Sequence, residues 1–279
     1  MNSKTIYIFC TLHIIFCSHV FSQNIEPQTT DGFSTSLAIS SGISDFHQRD
    51  KYFSPLIFNG VNFASKLSIQ MKTENNRHSI DGFFTIGALN PDIPQREVTL
   101  KGGYLSYSFV HLLNTENPIE HPLQFFLGGG ISSFVVNTDF DTEDETGYTK
   151  LDQSWYWSHS LNVVFQSEYR FVESKNFMLR LTVPIVGLVS RPENGHRLKQ
   201  NNLDVVDDNF FNAATQGKMD YLWKSFVIYT DIEYRQSLSS TIDFLASYRF
   251  SYISSNKPAS ALSTGMYMNN FLAGIEWVL

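Results

Sequence analysis

Hydrophobic and polar residues alternate with a period of two along much of the chain, most clearly over residues 155 to 171. One face of this segment carries Trp155, Trp157, His159, Leu161, Val163, Phe165, Ser167, Tyr169 and Phe171. The other face carries Tyr156, Ser158, Ser160, Asn162, Val164, Gln166, Glu168 and Arg170. Successive side chains of a β-strand point to opposite sides of the sheet, so the pattern predicts a long strand with one apolar face.

The same alternation predicts nine further strands. Two of them, residues 62–72 and 241–252, are as clear as the first. The weaker segments are residues 33–42, 79–89, 97–111, 123–137, 177–190, 223–235 and 266–279. The sequence therefore predicts an all-β protein of about ten antiparallel strands, with eight or twelve as alternatives because the weaker segments decide the number.

The connections between these strands alternate in length. The longer ones are mostly polar or rich in glycine and proline, and they cover residues 43–61, 90–96, 138–154, 191–222 and 253–265. The mostly shorter ones cover residues 73–78, 112–122, 172–176 and 236–240. Bacterial outer-membrane barrels have short periplasmic turns, longer outer loops and an even number of strands. The pattern predicts a transmembrane, antiparallel up-and-down β-barrel over residues 23–279, with the longer connections outside the cell.

The first 22 residues have the pattern of a signal peptide. Lys4 gives a basic start, and an apolar run follows from Ile6 to Cys17. Val20 and Ser22 lie three residues and one residue before the expected cleavage point. The apolar run is shorter than the roughly 20 residues that a membrane-spanning helix needs. We expect cleavage after Ser22 and export of the remaining chain.

Cleavage would leave a chain without cysteine, because Cys10 and Cys17 are the two cysteines of the sequence. This excludes a small domain held together by disulfides. No later segment has 18 consecutive apolar residues, which excludes membrane-spanning helices. Loss of Lys4 takes the formal charge from −7 to −8, and lysine and arginine are not clustered, so nucleic acid is excluded as a partner.

All four tryptophans lie near the ends of predicted strands. Trp155, Trp157 and Trp223 are at outer ends, and Trp277 is at the inner end of the last strand. Tryptophan is enriched at the two membrane–water interfaces. We therefore predict that these four residues are membrane-interface aromatics. Trp223 shares a face with Asp231, which places it just beyond the hydrocarbon.

The last predicted strand alternates up to the final residue. Its apolar face carries Tyr267, Phe271, Ile275, Trp277 and Leu279. This pattern resembles the C-terminal signal of Gram-negative outer-membrane proteins, although the usual terminal residue is Phe rather than Leu. With the signal peptide and the strand periodicity, the resemblance to small outer-membrane β-barrel proteins spans the chain. It implies an outer-membrane location, with membrane lipids, lipopolysaccharide and the barrel assembly machinery as partners.

Charged residues on the polar faces would line the interior of such a barrel. The predicted lumen charge network consists of Glu168, Arg170, Arg180, Asp231, Glu233, Arg235, Asp243 and Glu276. Charges in a narrow interior must be paired or hydrated, because an isolated buried ion is costly. Barrels of about eight strands are filled by side chains, and ten strands leave little more room. We expect a charge-paired filling, with a proton or ion path as the alternative.

His159 is the first candidate for catalysis, because several outer-membrane lipid hydrolases use His and Ser two residues apart on one strand. The adjacent Ser158 and Ser160 point to the opposite face, so neither can share a proton with the imidazole. We expect a structural histidine and no catalytic residue.

Ten strands also make the chain similar to the omptin proteases, whose sites use acidic residues and histidine at the outer rim. The rim candidates, all expected on loops, are His47, His196, Asp45, Asp204, Asp207 and Asp208. No spacing among them matches the acidic pair and His–Asp motif of that family in strands. The sequence therefore does not favour a protease.

The connection from Asp139 to Asp152 is acidic. Its weak candidate ligands for a calcium ion are Asp139, Asp141, Glu143, Asp144 and Glu145. The spacing fails the EF-hand pattern, since Asp144 stands where glycine is needed and Lys150 where the bidentate glutamate is needed. We expect a solvated loop without a metal, and no cofactor.

The longest connection, residues 191–222, could be exposed or could fold into the barrel. Taken together, the sequence predicts a non-enzymatic outer-membrane barrel with a structural, adhesion or assembly role and an extracellular or envelope protein as a candidate partner. The alternatives are a lipid-modifying or proteolytic enzyme and a narrow channel or transporter. A soluble lipocalin-like barrel, with its apolar face inward, is the alternative fold.

Overall fold

The structure is a computed structural model in which eleven β-strands account for most of the described chain. It describes residues 33–50, 57–91, 98–113, 122–140, 153–172, 174–190, 218–221, 225–255 and 263–279. The predicted signal peptide, residues 1–22, lies outside these ranges.

Each strand is long enough to cross a bilayer except the eighth. The strands are β1 (Ser34–Asp50), β2 (Ile57–Lys72), β3 (Asn76–Pro91), β4 (Val98–Leu112), β5 (Leu123–Phe140), β6 (Gln153–Val172), β7 (Lys175–Ser190), β8 (Lys218–Tyr221), β9 (Ser225–Ser237), β10 (Ile242–Ser255) and β11 (Thr264–Val278). Strands of 9–11 residues already suffice for a tilted transmembrane strand. The segments therefore extend beyond the hydrocarbon at one or both ends.

The strands form one closed antiparallel sheet in which sequence neighbours pair. Closure is made between β1 and β11, from Ser36 opposite Val278 to Asp50 opposite Thr264. β8 and β9 both pair with β7, at its outer and inner parts respectively, so they occupy one position in the wall. The protein is thus the predicted ten-stranded up-and-down β-barrel.

Side chains alternate between the interior and the outer surface along the long strands, with a break in β7. In β4, Leu100 and Tyr104 are buried inside, whereas Leu105 and Phe109 are exposed on the outer surface. The exposed large side chains of the other strands are likewise mostly apolar, and buried polar side chains fill part of the interior. This is the reverse of a soluble barrel, because apolar surface faces outward and charge faces inward. The lipocalin-like alternative is therefore wrong.

No helix of a length and apolarity sufficient to cross a membrane is found in the part of the chain that the structure describes. The crossings are made by strands.

Short turns at residues 73–75 and 238–241 define one end of the barrel, which we take as the periplasmic end because such turns lie there in this class. Backbone bonds close the second turn, with Leu238 N donating to Ile242 O over 2.9 Å.

The strands are longer than the sequence pattern predicted at the outer end. The expected connection at 43–61 begins only after Asp50 and ends before Ile57, and strand structure also extends into 90–96, 138–154, 191–222 and 253–265. The reason is visible at Phe46 and Phe58, which point inward and are buried. Inward apolar residues remove the contrast between faces by which the strands were recognised.

β7 is an irregular strand of the barrel. Its pairing with β6 shifts register next to Leu161 and Asn162, opposite Pro184 and Val186. Proline cannot donate to a β-ladder and is found at edges and bulges. On its other side, β7 changes partner from β9 to β8 in the same region. The backbone ladders on both sides of β7 are therefore irregular near Pro184: the ladder with β6 shifts register there, and the ladder with β9 ends at Thr182.

Candidate functional site

The inward charges of the periplasmic half form a network centred on Lys66 of β2. The Lys66 Nζ atom lies 2.6 Å from Glu233 Oε1 and 3.5 Å from Asp81 Oδ1, and the side chain is only 3% exposed. β2, β3 and β9 supply these three residues, so the ammonium group joins strands from different parts of the wall. Each charge at this point has an opposite charge beside it.

Arg235 connects the charged residues of β9 with those of β11. Its Nη2 atom donates to Glu233 Oε2 over 2.6 Å, and its Nε atom lies 2.6 Å from Glu276 Oε2. The hydroxyl group of Ser36 donates to the other oxygen of Glu276. The last strand and the first are therefore tied together inside the barrel as well as through their backbones.

Arg180 of β7 extends the network to β3 and β6. Its Nη1 atom donates to Asp81 Oδ2 over 2.9 Å, and its Nε atom donates to Gln166 Oε1 over 2.9 Å. Ser68 donates to the remaining Asp81 oxygen over 2.6 Å. Asp81 thus has a positive charge on each side and a hydroxyl donor, which compensates for its removal from water.

Arg77 and Glu168 form the ion pair of the network that lies nearest the periplasmic end of the barrel. The Nε atom of Arg77 lies 3.3 Å from Glu168 Oε1, and Gln166 donates to the same oxygen over 2.7 Å. The guanidinium group also lies over the ring of Phe126, 4.6 Å from the centroid. This aromatic residue belongs to a small buried apolar cluster with Val110 and Val164.

Arg249 of β10 marks the boundary with the outer half. Its Nε atom is 3.7 Å from Asp231 Oδ1, and its guanidinium carbon lies 3.8 Å from the centroid of the Tyr104 ring. Tyr104 in turn packs against Tyr229 with ring centroids 4.9 Å apart. Burial removes the water that stabilised the cation, and the face of the aromatic ring replaces part of that electrostatic stabilisation.

The outer half of the interior is filled by apolar side chains. This apolar layer comprises Phe46, Phe58, Leu89, Val98, Leu100, Phe134, Val136, Tyr156, Val189, Val227, Tyr229, Ile253, Met266 and Met268, all buried. Several are nearly inaccessible to solvent, including Phe46 and Phe134. The lumen therefore has two zones in the described residues, a charged periplasmic half and an apolar outer half. The sequence analysis did not predict this division.

Six of the predicted network residues are brought together in the charged half: Glu168, Arg180, Asp231, Glu233, Arg235 and Glu276. Asp243 lies half-buried near the start of β10. Arg170 does not join them, because it is exposed at the end of β6 beside a register shift.

The cation and carboxylate partners that sequence reasoning left out of the network are Lys66, Arg77, Asp81 and Arg249. Lys66 and Arg249 stand on polar faces of strands that the alternation identified clearly, which was a usable signal.

The interface tryptophans are placed differently from one another. Trp157 and Trp277 lie on the outer surface near strand ends, and Trp277 is 36% exposed. Trp155 lies near the start of β6 but is 5% exposed, so protein covers its ring. Trp223 lies outside the described residues.

The geometry around His159 separates the imidazole from the neighbouring hydroxyl groups. Its ring lies 6.0 Å from that of Trp157, on the outward side of β6. Ser160 points inward, where its hydroxyl group lies 2.9 Å from that of Ser132 and donates to Asn162 over 2.8 Å. His159 and Ser160 therefore lie on opposite faces of β6 and do not form with each other the Ser–His pair that an acyl-transfer enzyme needs.

The rim candidates for proteolysis do not assemble in the described residues. His47 and Asp45 lie within β1, so the expectation that both stand on loops is wrong. They face outward, 3.1 Å apart, and His47 stacks on Tyr267 with ring centroids 4.3 Å apart. The remaining candidates, His196, Asp204, Asp207 and Asp208, lie outside the described residues.

Of the candidate calcium ligands in the acidic connection, Asp139 lies within the described residues. Asp139, near the end of β5, is paired with Lys101 over 3.1 Å. Asp141, Glu143, Asp144 and Glu145 lie outside the described residues. Within the described ranges, His, Cys, Asp and Glu side chains form no group of three that could hold a metal ion.

Comparison with known proteins identifies the fold. The chain is similar to the outer membrane protease OmpT from Escherichia coli, at 9% identity and a TM-score of 0.56, covering 92% of this chain and 99% of that one. Neisserial surface protein A matches at 10% identity and a TM-score of 0.37, over 88% of this chain and 98% of that one. The translocator domain of the autotransporter NalP from Neisseria meningitidis matches at 8% identity and 0.42, over 99% and 97%.

No protein-family model matches the sequence, and no curated protein matches it. At 9% identity the likeness to OmpT shows the fold alone. With its closed ten-strand sheet and apolar outer surface, the protein is a Gram-negative outer-membrane β-barrel.

Proposed function

We propose that this protein is a non-enzymatic barrel whose interior is closed to solutes, and that it serves as a structural or adhesive anchor for its outer connections. The observation that carries the proposal is the filling of the lumen by two successive zones. A solute crossing from the outside would first meet the apolar layer and then the Lys66-centred network. Both zones are built of buried side chains that occupy the interior.

The two zones oppose conduction for different reasons. The apolar layer contains large aromatic side chains packed across the interior, such as Phe134 and Tyr229 with ring centroids 6.4 Å apart. The charged zone is paired residue by residue, so an ion entering it would displace existing partners. A small polar cavity lies within the charged zone, beside Asp81, Arg180 and Arg249.

The test is electrical. The full-length exported protein, folded into planar lipid bilayers and checked for insertion by a heat-dependent shift on a gel, should give no discrete conductance steps. A general porin inserted by the same procedure is the positive control. Regular steps whose size changes in Lys66→Met would overturn the proposal, because they would place an ion path through the network.

The absence of enzymatic activity is the second part of the proposal. All four histidines of the described chain, His47, His78, His111 and His159, lie on outward faces of their strands. A hydrolytic site at the barrel mouth would need a histidine directed at the lumen opening or at a nearby nucleophile.

Reconstituted protein incubated with phospholipid or lipopolysaccharide should therefore yield no hydrolysis products. Product formation that is lost in His47→Ala, His159→Ala or His196→Ala would contradict this part of the proposal and would favour the enzyme alternative.

A further inference from the structure

The outer surface of the barrel carries a polar patch where β1 and β11 close the sheet. We call it the seam patch, and its members are Asp45, His47 and Arg49 of β1 with Tyr267 and Asn269 of β11. All five lie on the outward faces of their strands, since the intervening Phe46 and Met268 are buried inside. Polar groups are costly in hydrocarbon, so the height of the patch in the membrane decides what it can contact.

The seam patch lies at the outer membrane interface. Trp277 is exposed on the outer surface near the inner end of β11, where tryptophan marks the inner interface. Tyr267 precedes it by ten residues. At about 3.3 Å per residue and a strand tilt of about 40°, this separation is about 25 Å in height, which equals the apolar band of such barrels. Tyr267 and His47, which stand opposite each other, therefore lie at the outer edge of the hydrocarbon.

The residues on either side of this edge agree with that height. Toward the periplasm the same outward faces carry Ile39, Ile43, Phe271 and Ile275, all apolar. In the other direction Arg49 lies two residues beyond His47, about 5 Å higher by the same geometry. Its guanidinium group is therefore in the layer of lipid headgroups.

The carboxylate of the seam patch is satisfied within the patch. Asp45 Oδ1 lies 3.1 Å from His47 Nε2, and Asp45 Oδ2 accepts from Asn269 Nδ2 over 3.4 Å. The amide oxygen of Asn269 in turn accepts from the hydroxyl group of Tyr248 over 2.8 Å. Stacking on Tyr267 fixes the plane of the His47 ring. The patch is thus an ordered arrangement across β1, β11 and β10.

Two groups of the patch remain for a ligand. Arg49 is exposed and has no ion-pair partner among the described residues. It lies four residues from Asp45, about 13 Å along the strand, which exceeds the Debye length of about 8 Å at physiological ionic strength. The second ring nitrogen of His47, Nδ1, has no hydrogen-bond partner within the described ranges. Both groups lie on one face of β1, with α-carbons about 7 Å apart, so one anion can contact both.

We propose that the seam patch binds a phosphate group of lipopolysaccharide. Arg49 donates to the phosphate oxygens, because a planar guanidinium group matches phosphate in two parallel hydrogen bonds, and His47 Nδ1 supplies a second contact. The source is lipopolysaccharide because the patch stands at the outer interface, where the phosphates on its sugars lie just above its acyl chains. This inference gives a specific site to a partner that the sequence resemblance implied only in general. It does not depend on whether the lumen is closed.

The test measures binding of lipid A, the phosphorylated and acylated part of lipopolysaccharide. The folded full-length exported protein in detergent is mixed with bisphosphorylated lipid A in the presence of EDTA, and native mass spectrometry counts the bound lipid. We expect one intact lipid A per barrel. Lipid A without phosphates should bind at least fivefold more weakly, and so should phosphatidylglycerol, which carries a phosphate from the other class of membrane lipid.

Variants locate the site. Arg49→Gln should weaken lipid A binding at least fivefold. His47→Phe keeps a ring to stack on Tyr267 but removes Nδ1, and it should weaken binding at least twofold. Lys101→Gln is the matched control, because Lys101 is an exposed cation at the outer end of β4 whose charge is paired with Asp139. It should leave binding unchanged, and a heat-dependent gel shift shows that each variant is folded.

Lipid A binding that is absent, or that is equal in Arg49→Gln and the unchanged protein, would overturn the proposal. Equal affinity for phosphatidylglycerol would also overturn it, since the patch would then hold any lipid phosphate. Binding that requires calcium and is lost in Asp45→Asn but kept in Arg49→Gln would instead indicate a bridging cation. Conductance is not part of any of these readouts, so the results stand apart from those on lumen closure.

Discussion

Replacing Lys66 by methionine tests whether the charged zone holds the barrel together. The change keeps the volume of the side chain but removes the ammonium group that contacts both Glu233, at 2.6 Å, and Asp81, at 3.5 Å. Breaking a buried ion pair by removing one partner typically costs about 3–5 kcal/mol. Each carboxylate keeps an arginine, Arg235 at 2.6 Å and Arg180 at 2.9 Å, so we expect the low end, about 3 kcal/mol.

The free energy of unfolding is measured by denaturant titration in lipid vesicles, followed by tryptophan fluorescence and by the heat-dependent gel shift. Lys101→Met is the matched control, because Lys101 pairs with Asp139 at 3.1 Å but is 57% exposed. We expect it to cost about 0.5 kcal/mol or less. In the double variant Lys66→Met with Glu233→Gln, the loss should be smaller than the sum of the two single losses by about 1 kcal/mol or more. Equal, small losses for Lys66→Met and Lys101→Met would show that the buried contacts of Lys66 do not stabilise the barrel.

Three further predictions use the same unfolding assay. Arg249→Lys should destabilise the barrel by about 1–2 kcal/mol, because the ammonium group cannot reproduce the flat stacking on Tyr104 at 3.8 Å; no change would remove the cation–π contact from the account. Leu105→Arg, in the middle of β4 on the lipid-facing side, should cost about 2–4 kcal/mol, and a neutral outcome would place β4 outside the hydrocarbon. Gly274→Ala should cost about 1–3 kcal/mol, since the added carbon would lie 2.0 Å from Ile39 O, whereas Gly265→Ala, with nothing within 4 Å, should be neutral. Similar values for the two glycine variants would contradict the close approach of β11 to β1.

Much of the fold could be predicted because outward-facing side chains are mostly apolar on the long strands. The alternation at 62–72 and at 155–171 reports this outer face directly, and both segments are strands in the structure. Antiparallel order followed from the alternation of short and long connections, since each short turn joins neighbouring strands. These features depend on local sequence alone.

The outer ends of the strands were harder to predict because their inward residues are also apolar. Phe46, Phe58 and Phe134 point into the lumen, so hydrophobic residues occur on both faces there and the period-two contrast disappears. The apolar layer that they form depends on strands far apart in sequence meeting across the interior. A single sequence does not report which inward residues meet.

The charged zone was predictable in kind and only partly in its members. Glu233 and Arg235 lie two residues apart on the polar face of one strand, so a charged interior was foreseeable. The partners Asp81 and Arg77 stand on β3, where the alternation was weaker. Pairing across the lumen depends on the register of several strands, which hydropathy does not determine.

The division of β8 from β9 was not anticipated. The sequence pattern gave one strand at 223–235, whereas the structure has β8 at Lys218–Tyr221 and β9 at Ser225–Ser237. Pro184 was the available signal, because proline inside a strand marks a bulge or an edge. Its effect on the opposite neighbour could be seen only in three dimensions.

β4 and its neighbours form a wall that has lipid on one side and, in our proposal, a sealed interior on the other. Spin labels at five consecutive cysteine substitutions, Leu105, Ser106, Tyr107, Ser108 and Phe109, test it in vesicles containing the folded protein. Collision with oxygen, which dissolves in hydrocarbon, should be high at Leu105, Tyr107 and Phe109 and low at the two serines. A water-soluble nickel complex should reach none of the five. Access of that complex to the serine sites would contradict the sealed lumen, and the loss of the two-residue period would contradict the barrel wall itself.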